Sequence, residues 1–242
     1  PPSASARLTT LQGMIVKMIR LGLGGTCALS PKTLSCHFST TASGDWLLSS
    51  TTDKQNNDSP VYAHFSDNEF QLPASAAETL TTVRNPATQE VVGRVVSTDE
   101  AEMESFVSKS QTAFESWKRT PITQRQQVML DYQKLIRDNM SELQNCITLE
   151  NGKTLADAQG DIFRGLQVVE SACNLAPQLL GDSIRGVSST MDTVSYRIPL
   201  GVCAGICPFN FPAMIPLWMI PIAITAGNTM LLKPSEQTPG AA

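Results

Sequence analysis

Acidic side chains are missing from the first 44 residues, whose only charged groups are Arg7, Lys17, Arg20 and Lys32. A Ser- and Thr-rich, acid-free stretch with basic residues set in "LQGMIVKMIRLGL" has the composition of an organellar transit peptide. The whole chain of 242 residues is not basic, with a formal net charge of −4 and a pI near 5.2. That balance argues against a nucleic-acid partner, which favours a basic surface. Cysteine pairs are missing too. Cys27, Cys36, Cys146, Cys173, Cys203 and Cys207 form no CxxC, and no histidine lies at zinc-ligand spacing from them. Neither a disulfide framework nor a metal site is indicated, and reduced thiols fit a matrix-type compartment.

Charge is missing a second time, from Ile198 to Leu232, a run long enough to span a bilayer. Pro199, Pro208, Pro212, Pro216 and Pro221 interrupt it, and each removes a backbone donor. Broken membrane helices survive only inside larger bundles, and no other segment is a candidate span. The run therefore reads as protein interior. "GLGG" at Gly22 to Gly25 has no strand before it and no helix after it, which removes it as a dinucleotide loop.

What is present has a clear order. Residues 45–64 are polar and aperiodic at first, "DWLLSSTTDKQNNDS", and read as a disordered linker. A short edge element is expected at "AHFSDNEF", and a hairpin at "VRNPATQEVVGRVV", turning at Asn85-Pro86. A helix follows from "STDE", with Ser97 and Glu100 at capping-box spacing. Pro121 opens a second, stopped by "NGK" at Asn151 to Lys153. A third is expected from Thr154 until Gly181, with Leu155, Ile162, Leu166, Val169, Cys173, Ala176 and Leu180 on one face. "DTVSYRIPLG" alternates like a strand. "GVCAGIC", "AMIPLWMIPIAITAG" and "NTMLLK" then read as a strand buried on both faces, a buried helix and a second buried strand. This is a right-handed βαβ unit of an α/β fold with a parallel sheet.

Ligands of open α/β sheets bind beyond the carboxyl ends of the strands. The loop after the first strand carries Pro208, Phe209, Asn210 and Phe211. An amide held between prolines is a preorganised donor for an oxyanion, or else a cap for the helix starting near Pro212. The loop after the second strand carries Lys233, Pro234, Ser235, Glu236 and Gln237. A carboxylate there can accept both ribose hydroxyls and repel a 2′-phosphate, favouring NAD over NADP. The alternative is a solvated Lys233–Glu236 salt bridge.

"PFNFP" followed by "GNTMLLKPSEQTP" resembles the NAD-binding half of the aldehyde dehydrogenase superfamily. With "NPATQEVVGRV" and "ITLENGKTLADAQGDIFRGLQVVE", the resemblance extends from about Phe65 to the last residue. It points to the CoA-acylating branch that acts on methylmalonate semialdehyde. The resemblance implies that residues 65–242 are an incomplete aldehyde dehydrogenase-like fold, N-terminal helices plus the first βαβ of a Rossmann-type NAD-binding domain. A strand for oligomerisation is implied near 183–199.

The resemblance also implies roles. Asn210 becomes the oxyanion donor; Cys207, Pro208 and Phe209 line the nicotinamide side; and Lys233, Ser235, Glu236 and Gln237 hold the adenosine ribose end. Gln237 departs from relatives with Arg or Lys. Arg164, in an "RG" context, is expected to bind the substrate carboxylate, against a structural pair with Asp161. The implied cofactor is NAD, with coenzyme A as co-substrate and a small semialdehyde as substrate. The implied setting is the mitochondrial matrix (or a plastid), with a homo-oligomer, dimer or tetramer, and no membrane.

The nucleophile of such enzymes follows a "GQRC"-type motif, which this sequence does not contain. Cys203 and Cys207 sit on a strand expected to be buried, with no flanking base. The chain by itself is therefore expected to be inactive. A second reading from another class is a non-catalytic interaction module that pairs through "SYRIPLG".

Overall fold

The computed structural model describes residues 59–67, 69–72 and 80–242. The expected transit peptide, residues 1–44, and the expected linker as far as residue 58 lie outside the described residues. The end of that linker is ordered, which corrects its boundary. Strand β1, Val61–Tyr62, pairs in parallel with β5, Val91–Val96, because valine and tyrosine suit a half-buried pleat. Strands β2, His64–Ser66, and β3, Glu69–Gln71, form the expected edge element as a small hairpin. Strand β4, Leu80–Arg84, is antiparallel to β5. Asn85 Oδ1 accepts the Ala87 amide hydrogen at 2.8 Å and makes the expected turn.

Helix α1 spans Glu100–Trp117. Its capping box lies two residues beyond the expected one. Asp99 Oδ1 accepts the Glu102 amide hydrogen at 2.8 Å, and Glu102 Oε2 accepts that of Asp99 at 3.2 Å. Asp99 caps as well as a serine would and adds a negative charge at the positive helix end.

The second expected helix is two. Helix α2, Ile122–Asp138, ends where Asn139 folds back: its backbone amide and its Nδ2 both donate to Leu135 O, at 3.1 and 2.8 Å. A short polar side chain competing for backbone acceptors breaks the helix there. Helix α3, Met140–Asn151, then ends at Gly152, whose φ of +77° is cheap only for glycine.

Helix α4, Leu155–Cys173, starts beside Thr154 as expected, with the Thr154 hydroxyl capping it at the Asp157 amide, but stops eight residues before Gly181. Pro177 has no amide hydrogen for Cys173 O, and Gln126 Nε2 donates to that carbonyl instead, at 2.9 Å. A 3-10 turn, Ala176–Leu179, follows, and Leu180 is left 71% exposed rather than on the buried face.

Strands β6, Ser183–Ser188, and β7, Met191–Val194, form an exposed hairpin. The strand read in "DTVSYRIPLG" thus ends at Val194. Strand β8, Val202–Ile206, helix α5, Met214–Thr225, and strand β9, Thr229–Lys233, are the βαβ unit, with parallel pairing from Val202↔Thr229 to Ile206↔Lys233. Strand β8 is not buried on both faces as expected. Gly205 faces Met219 of α5, whereas Ile206 on the opposite face is 80% exposed. Among the described residues β8 and β9 pair only with each other, so no further strand shields that face.

The core lies between α2, α3, α4 and α5, around Ile136, Ile147, Ile162, Leu166 and Leu217. Helices α4 and α5 approach closely at Gly165, where a Cβ would lie 2.8 Å from Leu217 Cβ. The glycine of "RG" therefore has a packing reason. Trp117 Nε1 donates to Ile224 O at 2.9 Å and fastens α1 to the end of α5.

Candidate active site

The two loops that carry Asn210 and Glu236 leave adjacent strands. Cys207 N–H donates to Lys233 O at 2.9 Å, extending the parallel ladder by one bond, so both loops begin side by side. Cys207 is buried and Pro208, Phe209 and Asn210 are exposed. The Asn210 side-chain amide has no partner among the described residues.

The helix-cap alternative for Asn210 is not realised. Helix α5 is preceded by Ala213, with no capping side chain from its own segment. Its cap comes from α4: Asp161 Oδ1 accepts the Met214 amide hydrogen at 2.7 Å, and Asp161 is fully buried. Asp161 Oδ2 meets Lys153 Nζ, also at 2.7 Å, and that ammonium lies 4.3 Å from the centre of the Phe211 ring. Asp161 is thus committed twice, which corrects the alternative pairing of Arg164 with Asp161. Arg164 is exposed and its side chain has no partner among the described residues, while its backbone carbonyl accepts from Trp218 Nε1 at 3.3 Å.

The loop bearing Asn210 is gripped at one atom. Phe209 O accepts from Asn151 Nδ2 at 2.8 Å and from Thr238 Oγ1 at 3.3 Å. The sequence marks Asn151 only as a helix stop and gives Thr238 no distinguishing sign. An amide at a helix end two residues before a lysine, in "ENGK", is the one local signal that points to Asn151.

In the second loop, Lys233 Nζ and Glu236 Oε2 are 2.6 Å apart on the surface, so the salt-bridge alternative is formed. The lysine's hydrogen bond, more than its charge, holds the Glu236 carboxyl below its usual range. Ser235 is buried and its hydroxyl accepts the Gln237 amide hydrogen at 3.2 Å.

Below these loops sits a buried acid. Tyr62 OH donates to Glu150 Oε1, and Gly240 N–H donates to Glu150 Oε2 at 2.9 Å. Burial outweighs both bonds and pushes the Glu150 carboxyl up to about 7, while keeping the Tyr62 hydroxyl protonated. Burial likewise pushes the Cys207 thiol up, against the opposing charge of Lys233, so Cys207 is no activated nucleophile. No group of three or more His, Cys, Asp or Glu among the described residues could hold a metal ion. No helix among them is long and apolar enough to cross a membrane.

The profile of the aldehyde dehydrogenase family matches residues 72–242. The chain belongs to that family. It is 54% identical over 182 residues to the rat (Rattus norvegicus) methylmalonate-semialdehyde/malonate-semialdehyde dehydrogenase [acylating], mitochondrial, covering 75% of this chain and 34% of that protein. To the Arabidopsis thaliana methylmalonate-semialdehyde dehydrogenase [acylating], mitochondrial, it is 60% identical over 159 residues, or 66% of this chain and 26% of that one. The fold agrees. A Sinorhizobium meliloti 1021 protein described as a methylmalonate-semialdehyde dehydrogenase, crystallised with NAD, superposes with a TM-score of 0.74 at 36% identity. That superposition covers 77% of this chain and 38% of the other. The aldehyde dehydrogenase fold is thus present in part, since the chain spans about a third of its relatives' length.

Proposed function

We propose that this chain is the amino-terminal part of an NAD-dependent, CoA-acylating semialdehyde dehydrogenase. Methylmalonate or malonate semialdehyde is the substrate, with propionyl-CoA or acetyl-CoA, CO2 and NADH as products. The observation that carries this reading is the side-by-side departure of the Asn210 loop and the Lys233–Glu236 loop from the carboxyl ends of two parallel strands. Identity to acylating relatives supports the chemistry, and their mitochondrial names support import to the matrix.

The residues fit the cofactor. Glu236 and Lys233 are exposed at the end of β9, where a carboxylate accepts ribose hydroxyls. Ser235 shapes the turn, Gln237 borders it, and Cys207, Pro208 and Phe209 supply the wall nearer the ring. NAD, when bound, supplies the hydride acceptor. Asn210 donates to the oxygen that gains negative charge once a thiol has added to the aldehyde, and Arg164 holds the carboxylate that the substrate carries besides its aldehyde. Coenzyme A accepts the acyl group. The adding thiol is none of the described cysteines: Cys207 is buried with its thiol pushed up by burial, and Cys203 lies within β8 rather than in a loop.

The experiment is Asn210→Ala in the full-length protein. Loss of one oxyanion donor lowers kcat by about 10²- to 10³-fold while NAD affinity is kept. Unchanged kcat removes Asn210 from the chemistry.

The exposed β6–β7 hairpin favours a second role for this region, self-association. Ile184, Val187, Met191 and Val194 are each more than half exposed, and Tyr196, Ile198 and Leu200 follow at 81, 79 and 91%. Substituting Ile198 and Leu200 with Lys shifts the full-length protein to a smaller species in size-exclusion chromatography if this surface is the interface.

A further inference from the structure

A reactive amide must be aimed, and little in its own segment aims Asn210. Its side chain has no protein partner among the described residues, and Phe209 before it is 52% exposed, so packing holds the loop at Phe211 and Pro212 but not at these two residues. Local chemistry fixes part of the backbone. Pro208 sets its own φ, and Phe211 is restricted because it precedes Pro212. Among the planes this leaves free is the peptide between Phe209 and Asn210. That plane is the one held from outside, by two hydrogen bonds to Phe209 O, from Asn151 Nδ2 at 2.8 Å and Thr238 Oγ1 at 3.3 Å.

The two donors come from different parts of the fold. Asn151 ends α3, half-buried beneath the loop, and Thr238 lies in the loop after β9 at 2% exposure. A carbonyl has two lone pairs, and both are used here. We infer that Asn151 and Thr238 are positioning residues, a clamp on the Phe209 carbonyl that orients Asn210 for its work at the oxyanion. The inference rests on the proposed role of Asn210. It adds a link between the two loops: the segment offered to the adenosine end also helps aim the amide at the reacting end. The geometry leaves little slack, because an oxyanion donor must sit about 2.7–3.1 Å from its oxygen. A misplacement of about 1 Å can cost about 100-fold.

The test uses the full-length enzyme with Asn151→Ala, Thr238→Val, Thr238→Ser and Asn210→Ala, singly and combined. The readouts are kcat, KM, the NAD dissociation constant and thermal melting. Asn151→Ala is expected to lower kcat about tenfold with NAD affinity within about twofold. Thr238→Val lowers kcat by about threefold, and Thr238→Ser, which keeps the hydroxyl, restores it. In the Asn210→Ala background, Asn151→Ala has no further effect on kcat, since a misaimed donor and a missing one are equivalent. A full, independent loss in that background overturns the inference, because it marks a general structural effect. So does an unchanged kcat in the Asn151→Ala/Thr238→Val double variant while Asn210→Ala is impaired. If Asn210→Ala itself leaves kcat unchanged, the oxyanion role falls and the clamp's catalytic role with it. Should Asn151→Ala not fold, the pair Thr238→Val against Thr238→Ser carries the same comparison.

Discussion

Asp161, fully buried in α4, caps α5 by accepting the Met214 amide hydrogen at 2.7 Å, while its other oxygen meets Lys153 Nζ. One carboxylate therefore joins a crossover helix of the βαβ unit to the helical layer beneath it. Lys153 is itself only 17% exposed at its side chain, so neither charge can turn to water. Asp161→Ala is expected to destabilise the full-length protein by about 3–5 kcal/mol, because it leaves a buried cation and a helix amide unpaired. Asp161→Asn together with Lys153→Met removes both charges, keeps an acceptor for Met214, and recovers part of that loss. Urea midpoints of the unaltered protein and the two variants decide it. Equal losses for Asp161→Ala and the double variant would show that the charge pair is not what holds α5.

Patterns that repeat locally are legible in the amino-acid sequence, and patterns closed by distant partners are not. The βαβ unit, its parallel sense and its two loops follow from apolar runs and prolines, because those constraints act within a few residues. The break at Asn139 does not. Asparagine inside a periodic run is ambiguous until its side chain is seen to take Leu135 O. The early stop at Cys173 has a local sign in Pro177, but the apolar stripe through Ala176 and Leu180 masks it. Asn210 and Glu236 stand out by chemical oddity in an apolar run and at a strand end. Asn151, Thr238 and Asp161 serve through bonds spanning 58, 29 and 53 residues, and no spacing rule reaches that far.

Glu150 gives the fold a pH dependence whose sign can be worked out. Its carboxyl titrates near 4.5 in the unfolded chain and near 7 when buried against Tyr62, Cys146 and Gly240. The folded state therefore holds the proton over the window between those values, and stability falls as pH rises through it. The contribution is fully present below about pH 4.5 and gone above about pH 7, on the order of 3 kcal/mol in total. Glu150→Gln, neutral throughout, flattens that slope. Melting temperatures of both proteins from pH 5 to 8 check it, and parallel curves would assign the slope to other groups.

Arg164 offers a substrate test without a stability confound, since its side chain is exposed and free of protein partners among the described residues. Asp161, its nearest rival partner in sequence, is occupied elsewhere. Arg164→Gln in the full-length enzyme should raise KM for methylmalonate semialdehyde by about 10- to 100-fold, the worth of a charge-assisted bidentate contact. Oxidation of propanal, which has no carboxylate, should be unaffected. Equal losses on both aldehydes would remove Arg164 from carboxylate binding and point to a disturbance of α4 beside Gly165.

Glu236 separates the cofactor role from the surface salt bridge. Its partner Lys233 is 2.6 Å away, with side chains 55% and 53% exposed, so the pair itself contributes little to folding. Glu236→Gln is accordingly expected to leave the melting temperature of the full-length enzyme nearly unchanged. Selectivity should move instead. A carboxylate that accepts ribose hydroxyls repels a 2′-phosphate, and its removal lets Lys233 face that phosphate unopposed. The ratio of kcat/KM for NADP over NAD should rise by about tenfold, by losing NAD affinity and gaining NADP affinity together. Initial rates with both cofactors measure it directly. A ratio that stays fixed while both rates fall would mean that Glu236 only shapes the loop through Lys233, and the ribose contact would have to be sought at Gln237 or Ser235.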